Sequence, residues 1–479
     1  MSAPIEIAAG DVAERVVLAA FERRAERGLS RARRAGHAVP VTLTARLSEP
    51  LDPVAAACTS RRAGEPWFTL EQGDRDGSAL AALGAVHEIA SDGPGRFAAA
   101  DRAWRELVRT AAADPPDGPA GSGLAVFGGF SFAAGGASSP RWAGFAAASL
   151  VLPELTLVRR DGETWLTVNA LLSPDDTAAE ATERIARRLS ELRSAPLPLL
   201  DPDPVGRYAV VSPMPPSHYE EAVARAVQRI RAGELEKVVL AREVEVHAPA
   251  PHDPAAILGV LREGFPSCYV YSVGRGESAF IGASPELLVR REGQRASTVA
   301  LAGSARRSAD PAVDDHLGEQ LLRSDKDRHE NAIVARRIAR ALAPHSVWVT
   351  AAPEPSLVRV SNIQHLGAPI RAQLARPVSA IELAGLLHPT PAVGGEPWAV
   401  AEPLIPALEG LDRGWYAGPV GWSDQSGDGE FCVALRCGLL RGTLATCYAG
   451  CGIVAGSDPA AELAETEVKL QALLPVLAG

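Results

Sequence analysis

From residue 217 to the end, segments with helical spacing of apolar residues alternate with strand-like segments in no fixed order. Helices are expected at 217–232, closed by Gly233, at 324–342 and at 459–477. Strands are expected at 237–246, at 280–281 and 287–291 around a turn at 282–285, and at 431–440 and 444–448 as a hairpin across Arg441-Gly442. Mixed order of this kind points to an α+β fold, with long strands packed against outer helices. Apolar residues make up 47% of the 479, enough for a large core, and there is no internal repeat. Two stretches dense in proline, DPPDGPAGSG at 114–123 and APLPLLDPDP at 195–204, must be loops or linkers. The second separates an N-terminal part, 1–204, from 205–479.

Charge narrows the partners. With 58 acidic against 48 basic side chains the formal charge is −10, which argues against nucleic-acid binding. Six cysteines are too few for a disulfide scaffold, and none stands in CxxC spacing, so all six are expected as reduced, partly buried thiols. Cys447 and Cys451 are read as flanking a turn. The start, MSAPIEIAAGDVAERVV, has acids where a signal peptide needs a basic, then apolar, segment. No apolar run reaches the ~18 residues of a membrane span, and a cytoplasmic protein is expected.

Several charged residues stand where core is expected. In the 324–342 helix, Val334, Ile338 and Leu342 form one row, and four residues before Val334 stands Glu330. A carboxylate in an apolar row needs a cation or donors to meet it, as a rim salt bridge or as a metal ligand. The last helix begins well, with Asp458 at the cap and Pro459 at the first helical position. Glu462, Glu465 and Lys469 follow on one face. That face is either solvated or, with Glu330, an oxygen-only site suited to Mg²⁺. On the alternating strand 431–440, Arg436 shares its face with Cys432, Ala434 and Gly438, leaving room for a planar anion or an acidic partner. Gly450-Cys451-Gly452 is placed after the next strand, where backbone N–H groups can approach a ligand. Lys237 lies in a Val-rich strand, as a buried base or snorkelling at a sheet edge.

The ordered motifs go further. EKVVLAR at 236–242, FIGASPELLV at 280–289, LAGSAR at 301–306, DKDRHEN at 325–331, HPTPAVGGEP at 388–397, DGEFCVALRC at 428–437, YAGCGI at 448–453 and ETEVK at 465–469 together resemble the chorismate-utilising enzymes, most closely the isochorismate synthases. The resemblance runs from about residue 205 to the end. GGFSF at 128–132 is similar more weakly, and residues 1–110 carry little of it. It implies one large chorismate-binding fold of two facing mixed or antiparallel sheets with helices outside, with 195–204 a crossing inside it. Relatives that use ammonia have glutamine at Lys237 and a different block at HPTPAVGG, so the nucleophile implied is water and no glutamine-amidotransferase partner is expected. The implied reaction is the Mg²⁺-dependent isomerisation of chorismate to isochorismate, by a monomer. Salicylate synthases keep the lysine and remain an alternative, as does a catalytically silent homologue. Tyr416 stands where several isochorismate synthases have Phe, and Phe431 where the family often has Trp. Menaquinone, catechol siderophore or salicylate pathways all stay open for the product.

Residue by residue, the resemblance assigns Lys237 as the base for water and Glu286 as the acid for the leaving C4 hydroxyl. Glu330 and Glu465 would hold Mg²⁺ against the ring carboxylate, with Glu462 as a further ligand or water holder. Arg436, Tyr416 and the Gly450 backbone would meet the enolpyruvyl carboxylate. Lys469, with Gly303 and Ser304, would lie near the metal-bound carboxylate, and His365 on the C4 side.

Overall fold

The computed structural model describes residues 6–7, 11–114, 118–201, 205–361 and 363–478. Parts of both proline-rich stretches, 115–117 and 202–204, lie outside these residues, as do 1–5 and 8–10 of the N-terminal segment. The described strands form two sheets, one of 13 strands and one of 10. Neighbours are antiparallel, apart from Glu6–Ile7 beside Val39–Leu47. The larger sheet interleaves strands from both sides of 195–204: Trp67–Gln72 pairs with Tyr269–Arg275. The α+β class read from the sequence is the class found.

The two sheets face each other across a shared core. Phe68 of the larger sheet meets Phe127 of the smaller at 5.5 Å between ring centroids. Tyr271 and Phe280 on one side, and Val289 and Phe431 on the other, belong to the same buried cluster. A second cluster fills the other face of the larger sheet, beneath the helices Asp11–Ala35 and Pro254–Gly264. The helix Asp325–Leu342 packs Val334 and Ile338 against the smaller sheet. Burying such faces is the main favourable term in a fold of this size.

Several sequence expectations need correction. The segment 431–440 is not one strand. Gly429–Val433 belongs to the smaller sheet and Cys437–Arg441 to the larger, with Ala434–Arg436 crossing between them. Arg436 takes φ +49° at the crossing, so the alternation of faces stops there. The same happens around Glu286. Ser278–Ser284 lies in the larger sheet and Leu287–Glu292 in the smaller, so the expected turn at 282–285 is a passage between sheets and its first residues are strand. Lys237 opens its strand, Lys237–His247, and does not snorkel, being fully buried. Gly450-Cys451-Gly452 lies inside the strand Leu444–Ile453, so Cys447 and Cys451 flank no turn. The last helix ends at Leu470, and a short one follows at Leu474–Ala478. All six cysteines are free and buried.

Candidate active site

The two crossings lie side by side and are tied together. Ala283 N–H donates to Arg436 O at 3.2 Å, and Val433 N–H donates to Glu286 O at 3.0 Å. Ser284 Oγ donates to Val433 O at 2.5 Å and accepts from Glu286 N–H at 3.2 Å. This seam presents Glu286 and Arg436 to one pocket of about 790 Å³, part of it open to solvent. Eleven of the twelve residues expected from the sequence line that pocket: Glu286, Gly303, Ser304, Glu330, His365, Tyr416, Arg436, Gly450, Glu462, Glu465 and Lys469. Lys237, the twelfth, lies behind Glu330, its Nζ 2.7 Å from Glu330 Oε1.

The Lys237 strand is rich in β-branched residues, which suit a pleated and buried surface. It pairs with Leu444–Ile453 on one side and, at Lys237 and Val238, with Gly395–Glu396 of the HPTPAVGGEP motif on the other. A buried ion pair locks this wall. Arg413 donates to Val239 O and Val393 O at 2.9 and 2.8 Å and to Glu409 Oε2 at 3.0 Å, while Glu409 Oε1 accepts from Ala241 N–H at 2.7 Å. Gly452 leaves room for the Lys237–Glu330 pair. A Cβ there would stand 2.3 Å from Glu330 Oε1 and 2.7 Å from Lys237 Cε.

Opposite, the strand Arg295–Arg306 shifts register between Leu301 and Ser304. Gly303 sits in that bulge at φ +80°, where a Cβ would lie 2.9 Å from Asp327 Cβ. The bulge turns Ser304 so that its Oγ donates to Glu465 Oε1 at 2.7 Å. His365, paired with Ser304 across the sheet, is pushed down to a pKa of about 3 by burial and by the Arg436 charge. Its ring is therefore neutral, and Nε2 must be the acceptor for Arg436 Nη2 at 3.2 Å because a guanidinium only donates. Arg436 Nη1 is buried with no hydrogen-bond partner among the described residues. Tyr416 stacks on Tyr448 with centroids 5.2 Å apart, and burial raises its phenol above the ordinary range.

The helix Pro459–Leu470 is capped by Asp458, which accepts from Ala461 N–H at 2.9 Å. Its face carries the expected trio. Lys469 Nζ lies 2.7 Å from Glu465 Oε1 and donates to Gly450 O at 2.8 Å. Although burial opposes it, the Lys469 charge holds Glu465 down at about 2, with Ser304 and Lys469 hydrogen bonds helping. Glu462 goes the other way, raised by burial and by the neighbouring Glu465. Glu286 shows the largest useful shift. Burial pushes it up to about 8, against the opposing charges of Lys237, Arg436 and Lys469. At neutral pH it is a protonated acid.

A family model described as chorismate binding enzyme matches residues 27–478. The chain belongs to the chorismate-binding enzymes. The salicylate biosynthesis isochorismate synthase of Pseudomonas aeruginosa is 36% identical over 431 residues, 90% of this chain and 89% of that protein. Isochorismate synthase MenF of Bacillus subtilis is 33% identical over 357 residues, 74% of this chain and 75% of that one. Among solved structures, MenF, the menaquinone-specific isochorismate synthase from Escherichia coli, superposes with a TM-score of 0.76 at 29% identity, covering 96% of this chain and 100% of that chain. Anthranilate synthase component I from Streptococcus pneumoniae, at 20% identity and TM-score 0.65, covers 83% of this chain and 92% of that one and shares the fold. The family expected from the motifs is the family found, and the relatives named within it are chiefly isochorismate synthases.

Two charged residues of the pocket lining went unread in the sequence, Lys326 and Asp327. Asp327 stands three residues before Glu330, the same spacing as Glu462 and Glu465, and that i, i+3 pattern was the available signal. The carboxylates suit the expected Mg²⁺. Glu462 and Glu465 bring oxygens within 4.8 Å of each other and of Cys451 Sγ. Burial holds that thiol far above its ordinary range, so the ionised donors are oxygens. Asp327, like Glu462, is raised first by burial, and Glu330 and Glu465 add like charge to it. A divalent cation would relieve that crowding. No described helix is long and apolar enough to cross a membrane.

Proposed function

We propose that this chorismate-binding enzyme converts chorismate to isochorismate with Lys237 as base and Glu286 as acid. The observation that carries the reading is Glu286. It is a buried carboxyl at the pocket wall, held up near 8 by burial and so protonated near neutral pH, as a leaving hydroxyl requires. Water bonds to C2 of the ring, and Lys237, acting as the base, takes its proton. The double bonds shift, the C4–O bond breaks, and the Glu286 proton leaves with the hydroxide as water. Run backwards, the two groups exchange roles. Arg436, whose Nη1 has no hydrogen-bond partner among the described residues, receives the enolpyruvyl carboxylate beside Tyr416 and Gly450. Neutral His365 orients the Arg436 guanidinium from Nη2. Glu330, Glu462 and Glu465 would hold Mg²⁺, which when bound neutralises the ring carboxylate and polarises the ring. Lys469 and Ser304 fix Glu465 in place for that task. Because the nucleophile is water, the chain works on this reading without an ammonia-supplying partner, as a monomer.

The test is direct. Purified protein is incubated with chorismate and Mg²⁺, without ammonia, and the products are separated by chromatography. A mixture of chorismate and isochorismate without pyruvate is expected. Salicylate with equimolar pyruvate would reassign the chain to the salicylate synthases, a reading that the tyrosine at 416 keeps in play. No conversion would refute both.

A further inference from the structure

Each carboxylate expected at the metal has a lysine against it: Glu330 with Lys237, Glu465 with Lys469, and Glu462 with Lys326. The three lysines are not equivalent. Lys237 is fully enclosed, and Lys469 is held a second time by Gly450 O. Lys326 keeps 43% of its side chain exposed, and its Nζ has one hydrogen bond among the described residues, 3.1 Å to Glu462 Oε1. Glu462 itself is buried, with 3% of its side chain exposed. Lys326 also occupies the second position of the helix Asp325–Leu342, where the macrodipole disfavours a cation. Helix formation does not explain a lysine there; the acidic cluster of Glu462, Asp327 and Glu330 around it does.

We propose that Lys326 is a tethered counter-cation that competes with the divalent metal for Glu462 and is displaced when the metal binds. This rests on the reading of Glu330, Glu462 and Glu465 as the metal site. Without metal, the ammonium keeps a buried carboxylate compensated and the helix Pro459–Leu470 seated, since an unpaired buried charge is costly. With metal, Glu462 turns to the stronger cation, and the four-carbon stem carries the ammonium into the open part of the pocket. The arrangement trades metal affinity for a site that stays assembled when empty.

The experiment is Mg²⁺ titration by calorimetry into the full-length protein without chorismate, for the wild type, Lys326→Gln, Lys326→Arg and Glu465→Gln. Lys326→Gln should bind Mg²⁺ about threefold to tenfold more tightly, as expected for loss of one partly exposed competing charge. Lys326→Arg keeps the charge and should stay close to wild type. Glu465→Gln should bind more weakly. Equal Mg²⁺ affinity in wild type and Lys326→Gln, with Glu465→Gln weakened, overturns the role of Lys326 and leaves the metal site intact. No Mg²⁺ binding to the wild type, counted again with Mn²⁺ by paramagnetic resonance, overturns both readings. Circular dichroism checks that each variant is folded.

Discussion

Replacing Glu286 by Gln keeps the shape of the side chain and removes its titration. In the folded protein the carboxyl titrates at about 8, from an ordinary value of 4.5. A raised carboxyl means that the folded state holds the proton longer than the unfolded state. Stability from this group is therefore intact below the ordinary value and is lost as pH rises toward and through about 8. At about 1.4 kcal/mol per pH unit, with the loss flattening above the folded value, wild type should lose roughly 2–3 kcal/mol between pH 6 and pH 9 that the Gln variant does not lose. Urea denaturation of both proteins at four pH values across that range reads the difference directly. Turnover supplies the second half. The wild-type rate should fall above about pH 8 as the acid ionises, and Glu286→Gln should lose about 10²–10⁴ in kcat at neutral pH. Parallel stability curves, or a Gln variant that still turns over with an unchanged alkaline limb, would refute Glu286 as the protonated acid.

Lys237→Gln should abolish turnover by a similar factor while chorismate still binds, measured by equilibrium dialysis; retained turnover would remove Lys237 from the mechanism. Gly452→Ala puts a methyl against the Lys237–Glu330 pair and should cost about 1–3 kcal/mol with loss of activity, measured by denaturation and product formation. Arg413→Met strands buried Glu409 and leaves Val239 O and Val393 O without a donor; a loss of about 3–5 kcal/mol is expected in thermal or urea unfolding, and a change below 1 kcal/mol would contradict the account of that wall.

Glu330 and Glu465 were legible because helical spacing is local. A carboxylate in an apolar row or on a shared face can be read four residues at a time, and the structure brings both to the pocket. Arg436 was reached by a weaker route. The face argument assumed one unbroken strand, whereas the chain changes sheets at 434–436; the residue faces the pocket because of that passage and not because of strand alternation. Glu286 had no local mark. Its position depends on pairing with residues almost 150 positions later, and its protonation on burial by both sheets, neither of which a short window contains. Only the motif resemblance supplied it. The strand 444–453 was cut short because its glycines read as a turn, although Gly452 lies within the strand and leaves room for a buried ion pair.

The paired crossings have a mechanical meaning. Two large sheets packed face to face can slide or breathe, and residues carried by opposite layers then separate: Gly450 belongs to one, Ser304 and His365 to the other. Glu286 and Arg436 belong to neither. They stand on the stitch that joins the layers, laced to each other through three main-chain and hydroxyl links, and so sit at the pivot of any such motion. Any movement of one layer against the other would leave the spacing of the proton donor and the guanidinium least changed.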